Sequence, residues 1–152
     1  LREWPIDHFA QVARFILKDP SRILVLVGTA QADYKAHRLM AILNDPKVFN
    51  CSGKTSLVQM LELFTSSTVM ISNDCGLAHL AMLTPIPKLV LFGPESPNVF
   101  GPLGKNTHLF YSQWPCSPCL SVVSHRQSSC QDNQCLKVIA PKSVIEALQQ
   151  YA

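Results

Sequence analysis

This 152-residue chain has no block of like charge, no apolar run long enough to cross a bilayer and no intact phosphate-loop signature. Only 15% of its residues are charged, and its Lys and Arg are scattered, giving a net charge of +3. That argues against a nucleic-acid-binding surface, which needs clustered cations. A membrane-spanning helix needs roughly 18 or more consecutive apolar residues, and none occurs. There is no G-x-G-x-x-G, so the dinucleotide fingerprint is missing. Gly53-Lys54-Thr55 resembles the end of a P-loop, but Val48 stands where the earlier glycine is required. The absence of G-x-S-x-G leaves a nucleophile elbow unsupported. No repeat and no low-complexity tract is present. Leu1-Arg2-Glu3-Trp4-Pro5 does not read as a signal peptide, and the expectation is an excised piece of a longer protein.

What is present fits one globular domain, 47% apolar and long enough to bury a core. Pro5–Lys18 carries Ile6, Phe9, Val12, Ala13, Ile16 and Leu17 at helical spacing. Arg22–Gly28 reads as a strand covered on both faces. Ala32–Leu43 reads as a helix with Tyr34, Leu39, Ile42 and Leu43 as its apolar set, and Lys47–Asn50 as a short strand. Ser56-Leu57-Val58-Gln59 has the capping-box pattern for a helix reaching about residue 64. Thr68–Ser72 and Lys88–Gly93 are apolar strands, with a helix over Leu77–Leu83 between them. Residues 94–118 are rich in Pro, Gly and Asn, with one strand at Thr107–Tyr111, and Pro141–Tyr151 reads as a closing helix. Strands alternating with helices predict an α/β, Rossmann-like parallel sheet with helices on both faces. Ligands of such sheets sit at the carboxyl ends of strands, where Gly28, Asp74 and Gly93 fall.

Two constellations carry candidate chemistry. Ser72-Asn73-Asp74-Cys75-Gly76-Leu77-Ala78-His79 joins a strand to a helix, and unbonded amides at that junction suit a phosphate or diphosphate. The bland alternative is a turn and helix cap, which Asn-Asp-x-Gly commonly is. The second is cysteine. Cys51 and Cys75 stand apart, whereas Cys116, Cys119, Cys130 and Cys135 share one loop-rich segment, residues 112–135. Four thiols at these spacings, with His125 as a spare ligand, would allow a structural zinc knuckle; free thiols or a disulfide fit the same pattern. The core-rich composition favours a reducing compartment over a secreted disulfide scaffold.

Several ordered blocks then carry a resemblance. Arg2-x-Trp4-Pro5, Gly53-Lys54-Thr55-Ser56-Leu57, Asn73-Asp74-Cys75-Gly76-x-x-His79-Leu80-Ala81 and Leu91-Phe92-Gly93-Pro94 occur in the order seen in the ADP-heptose:lipopolysaccharide heptosyltransferases of glycosyltransferase family 9. Cys116-x-Pro118-Cys119 and Cys135-x3-Ile139-x-Pro141 resemble that family's tail. The resemblance covers nearly the whole chain. It implies the C-terminal, donor-binding domain of a two-domain GT-B enzyme over residues 1–152, with a first strand and an N-terminal domain lying outside the chain. It further implies inverting transfer of a sugar, heptose from ADP-heptose being favoured, to lipopolysaccharide core or a related bacterial glycan. No cofactor is implied for catalysis, and the base belongs to the absent domain. The full-length enzyme would work in the cytoplasm, at the inner face of the inner membrane, as a peripheral protein. By resemblance Arg2, Asp74, Cys75, Gly76 and His79 hold the diphosphate and sugar, and Thr55 lines the base and ribose side. The chain departs from the family at Cys75, where Ser or Thr is usual, at Ala32, where an acidic residue is common, and at Glu95, where Thr is usual. Those departures support an alternative: a catalytically decayed nucleotide-binding or interaction module on the same scaffold.

Overall fold

The computed structural model describes residues 1–121 and 127–151. Helix α1 (Ile6–Leu17) leads to strand β1 (Leu24–Leu26), helix α2 (Asp33–Leu43) and strand β2 (Val48–Asn50). Helix α3 (Leu57–Ser66), strand β3 (Met70–Asn73), the short helix α4 (Gly76–Leu80) and strand β4 (Lys88–Phe92) follow. Helix α5 (Pro97–Phe100), strand β5 (Thr107–Tyr111) and helices α6 (Gln134–Lys137) and α7 (Pro141–Leu148) complete the order. Local chemistry accounts for several boundaries. Ser56 caps α3 as expected: its hydroxyl accepts from Gln59 N–H at 3.3 Å, and Gln59 Oε1 accepts from Ser56 N–H at 2.9 Å. Pro141 occupies the first turn of α7, where a missing N–H goes unnoticed. Asn44 ends α2 in the left-handed region at φ 47°.

Among the described residues all strand pairing is parallel, and it falls into two sheets. β1 pairs with β2 in the register Leu24↔Val48 through Leu26↔Asn50. β4 lies between β3 and β5, with Met70↔Lys88 on one side and Lys88↔Thr107 on the other. Every residue of β4 is buried. Its alternating side chains feed two different layers, as a strand's period of two requires. Leu89 and Leu91 join Trp4, Val12, Leu136 and Val144 beneath α1 and α7. Val90 and Phe92 pack with Ala78 on the opposite face. A third cluster, including Met60, Phe64, Met70 and Ile86, joins α3 to β3. This is the expected α/β, Rossmann-like arrangement of parallel strands with helices on both faces.

The first strand differs from expectation. Arg22–Gly28 forms only three paired residues, all half-buried, and Ile23 is 61% exposed. The reason is lateral: β1 and β3 each have a strand on one side only, and their other edges border a cavity of about 2230 Å³. Phe9, Val12 and Ile16 of α1 line it from one side, Leu63 and Phe64 of α3 from another. Leu24 N–H donates to Lys47 O, so the alternation of strand amides turns Val25 N–H toward this cavity. Met70 N–H donates to Pro87 O, which turns Ile71 N–H toward it as well. The cavity is thus bounded by two strand edges and by apolar walls. Helix α2 is also less buried than its pattern suggested. Tyr34 is 66% exposed, and only Ala36 is fully covered.

Candidate functional site

The same cavity opens at the carboxyl ends of β3 and β4, and there Arg2, Asp74, Cys75, Gly76, His79 and Glu95 line it. Asp74 leaves β3 with its backbone still in the ladder, N–H donating to Leu91 O at 3.1 Å. Its carboxylate is 7% exposed and lies 3.6 Å from Arg2 Nη1. Glu95 sits two residues past Gly93 on the neighbouring strand exit, is 1% exposed, and lies 3.4 Å from the same nitrogen. One half-exposed guanidinium therefore serves two buried carboxylates. Burial holds the Asp74 carboxyl above the ordinary carboxylate range; Arg2 opposes this, Glu95 adds to it, and His79 opposes it.

Cys75 occupies the N-cap position of α4 in extended conformation, and its side chain makes no capping bond. Its sulfur instead lies 3.2 Å from Ser72 Oγ. The first helical hydrogen bond runs from Ala78 N–H to Cys75 O at 3.1 Å, so the amides of Gly76 and Leu77 precede it. A Cβ built on Gly76 would meet nothing within 4 Å, which leaves the backbone open to a ligand's close approach. α4 is only five residues long, so local N–H groups matter here more than a macrodipole.

Not every residue expected at the site reaches it. Thr55 lies in the β2–α3 loop and does not line the cavity, whereas Ser52 and Leu57 on either side do. Gly53 has a structural role instead. It adopts φ +68°, and a Cβ there would stand 2.8 Å from Ala30 Cα, so glycine is needed for the turn to pass beneath the β1–α2 loop. Asp33, beside Ala32, is engaged within its own neighbourhood: its carboxylate accepts from Asn50 Nδ2 at 2.8 Å and pairs with His37 Nδ1 at 3.2 Å. Sequence reasoning placed Asn73 in the turn without its partner and missed Asn133 altogether. Asn73 Oδ1 accepts from Trp4 N–H at 2.9 Å, and Asn133 Nδ2 donates to the carbonyls of Leu1 and Glu3. Neither residue type carries a signal unless a partner distant in sequence is known.

The zinc expectation is corrected. Among the described residues, no group of three or more His, Cys, Asp or Glu side chains is disposed to hold a metal. Cys130 Sγ donates to Asp132 O at 3.1 Å, and Cys116 is exposed. Cys135 is buried so close to the β4 exit that a Cβ on Gly93 would stand 3.1 Å from its sulfur. Burial first, then the thiol of Cys119 and more weakly those of Cys116 and Cys130, pushes the Cys135 thiol up. His125 lies outside the described residues. No helix among the described residues is long and apolar enough to cross a membrane.

Comparison with known proteins identifies the family. The profile of glycosyltransferase family 9 (heptosyltransferase) covers residues 2–129. Lipopolysaccharide heptosyltransferase 1 of Pseudomonas aeruginosa is 28% identical over 133 residues, which is 88% of this chain and 37% of that protein. Lipopolysaccharide heptosyltransferase 2 of Salmonella typhimurium is 30% identical over 105 residues, or 67% of this chain and 30% of that protein. The solved E. coli ADP-heptose lipopolysaccharide heptosyltransferase II aligns with a TM-score of 0.79 at 27% identity, covering 99% of this chain and 42% of that one. E. coli heptosyltransferase WaaC, solved with ADP, aligns over 99% of this chain and 40% of its own with a TM-score of 0.74 at 21% identity, a likeness of fold. The chain thus spans less than half the length of these relatives, but with the profile matched across most of its residues it belongs to glycosyltransferase family 9.

Proposed function

We propose that residues 1–152 form the nucleotide-sugar-binding domain of an inverting glycosyltransferase, with ADP-heptose the favoured donor and lipopolysaccharide core or a related bacterial glycan the acceptor. One observation carries this reading: Arg2, Asp74, the leading amides of α4 and His79 meet at one cavity mouth beyond the ends of β3 and β4. Parallel sheets bind ligands at that end. In transfer, the bond from the anomeric carbon to the diphosphate breaks and its electron pair stays on the departing phosphate oxygen. The acceptor hydroxyl attacks the opposite face, and its proton passes to a base supplied by the absent domain. Charge grows on the diphosphate, where Arg2 and the amides of Cys75, Gly76 and Leu77 would meet it without reorganising. Ser52 and Leu57 would face the nucleoside more directly than Thr55. The names of the relatives favour heptose, and the ADP held by a neighbour of the same fold favours adenine. Acting on a lipid-linked acceptor, the full-length enzyme would sit in the cytoplasm against the inner membrane, peripherally.

One observation favours the decayed module as a second reading. Arg2 already faces two buried carboxylates, so the site has less spare positive charge than a diphosphate would draw on. Calorimetric titration of the full-length protein with ADP, UDP, GDP and their sugars tests both. Binding of ADP with transfer of heptose is the expected result. Binding without transfer to any acceptor would favour the module, and no nucleotide binding at all would overturn the donor-site reading.

A further inference from the structure

Resting on the donor-site reading, we infer that Asn133 is a positioning residue, clasping the chain on both sides of Arg2 so that the guanidinium is presented to the diphosphate. Its Nδ2 donates to Leu1 O at 3.1 Å and to Glu3 O at 2.8 Å, the carbonyls immediately before and after Arg2. Leu1–Trp4 lies outside any helix or strand, and the segment joins regular structure only at Pro5, whose carbonyl accepts from Phe9 N–H at 3.2 Å at the head of α1. Its order comes from outside. Asn133 holds its start, Asn73 receives Trp4 N–H, and Trp4 Nε1 donates to Ile139 O at 3.0 Å from a side chain 3% exposed. Within that frame the Arg2 side chain leans on Asp74 and Glu95 through Nη1, so its direction is set by backbone and side chain together.

The clasp also gives the cysteine-bearing tail a role at the site. Leu136, fully buried, and Cys135, 5% exposed, anchor α6 in the core beside β4. The Asn133 carbonyl accepts from Leu136 N–H at 2.9 Å and from Lys137 N–H at 3.2 Å, which fixes the residue at the head of that helix. Its side chain is spared from capping α6 and is spent on the Arg2 segment. The tail thus reaches from the far end of the chain to the phosphate side of the site.

The test is a double-mutant cycle in the full-length protein, read by calorimetric titration with ADP. Asn133→Ala removes the clasp without removing a cap and should weaken ADP about fivefold, the scale of one orienting hydrogen bond. Arg2→Ala should weaken it about 30-fold, as loss of a charge-assisted contact does. On the Arg2→Ala background, Asn133→Ala should have no further effect, because the side chain it positions is gone. A fivefold loss on both backgrounds, as direct ligand contact or general damage would give, overturns the inference. So does unchanged affinity in Asn133→Ala beside a weakened Arg2→Ala. Unchanged affinity in Arg2→Ala would instead overturn the donor-site reading beneath it.

Discussion

The two sheets of this domain are built from similar sequence and reach opposite levels of burial. Arg22-Ile23-Leu24-Val25-Leu26-Val27 is as apolar as Lys88-Leu89-Val90-Leu91-Phe92, yet β1 is half-exposed and β4 is buried throughout. The difference is neighbourhood. β4 has a strand on each side and helices over both faces, whereas β1 has β2 on one side and a cavity on the other. An apolar run states that a strand can be buried, and the neighbouring elements state whether it is. The candidate site follows the same division, since its charged residues cluster at the ends of β3 and β4 and not at β1.

The comparison can be broken most severely by hydrogen exchange. Amides of Leu89 and Leu91 should exchange only through global opening, and Val25 N–H, facing the cavity, through local motion. Protection should differ by about a thousandfold or more. In a longer protein whose added strand fills the cavity, Val25 and Ile71 should become protected; equal exchange with and without that segment would show the cavity is not a strand site. Next come truncations. Leu91→Ala should cost about 3 kcal/mol in denaturant unfolding, and Leu24→Ala about 1 kcal/mol or less, because only the first leaves a closed cavity. Equal losses would erase the distinction between the sheets.

At the site end of β3, Gly76→Asp should leave the melting temperature nearly unchanged, since open space surrounds that Cα. It should weaken ADP about a hundredfold by setting a carboxylate against the phosphates. Retained affinity would move the phosphate seat elsewhere. Asp74→Asn gives a smaller effect with a definite sign. The folded Asp74 carboxyl titrates above its ordinary value of about 4. Its contribution to stability is therefore fully present below that value and lost as pH rises through the raised folded value. Melts of Asp74→Asn should match the parent near pH 3 and exceed it at pH 7; a variant less stable at pH 7 would show that the Arg2 pair outweighs burial. The smallest effect belongs to Lys88, 2% exposed at the start of β4, with Nζ donating to Ile86 O at 2.9 Å. Burial lowers its ammonium pKa, so its stability contribution is present above the ordinary lysine range and lost as pH falls through the folded value. Lys88→Met should shift stability at pH 7 by no more than about 1 kcal/mol, in the stabilising direction, by thermal melts.

Much of this was legible in residues whose signals are local. The Ser56 capping box, the Pro141 helix start, the alternation through β4 and the strand-to-helix turn at Asp74 all depend on neighbours within a few positions. What escaped depended on distance. Glu95 read only as a departure from the family pattern, and Arg2 stands beside it; Thr55 read as lining the base and ribose side, and it lies outside the cavity lining. Tyr34 fitted a helical stripe whose outward side nothing covers. Four cysteines suggested a knuckle, but Cys135 serves the core and Cys130 bonds its own loop.

The sequence by itself determined the alternation of helices and parallel strands, and the placing of Asn73-Asp74-Cys75-Gly76 at a strand end, because hydrophobic period and turn chemistry act over one or two turns of chain. The tertiary structure alone decided that Arg2, 72 positions from Asp74, would lie beside two buried carboxylates, and that Asn133 would bond the carbonyls on either side of it from the tail. Ion pairs and hydrogen bonds have a reach of a few ångströms and no memory of sequence separation, so only the packed chain brings their partners together.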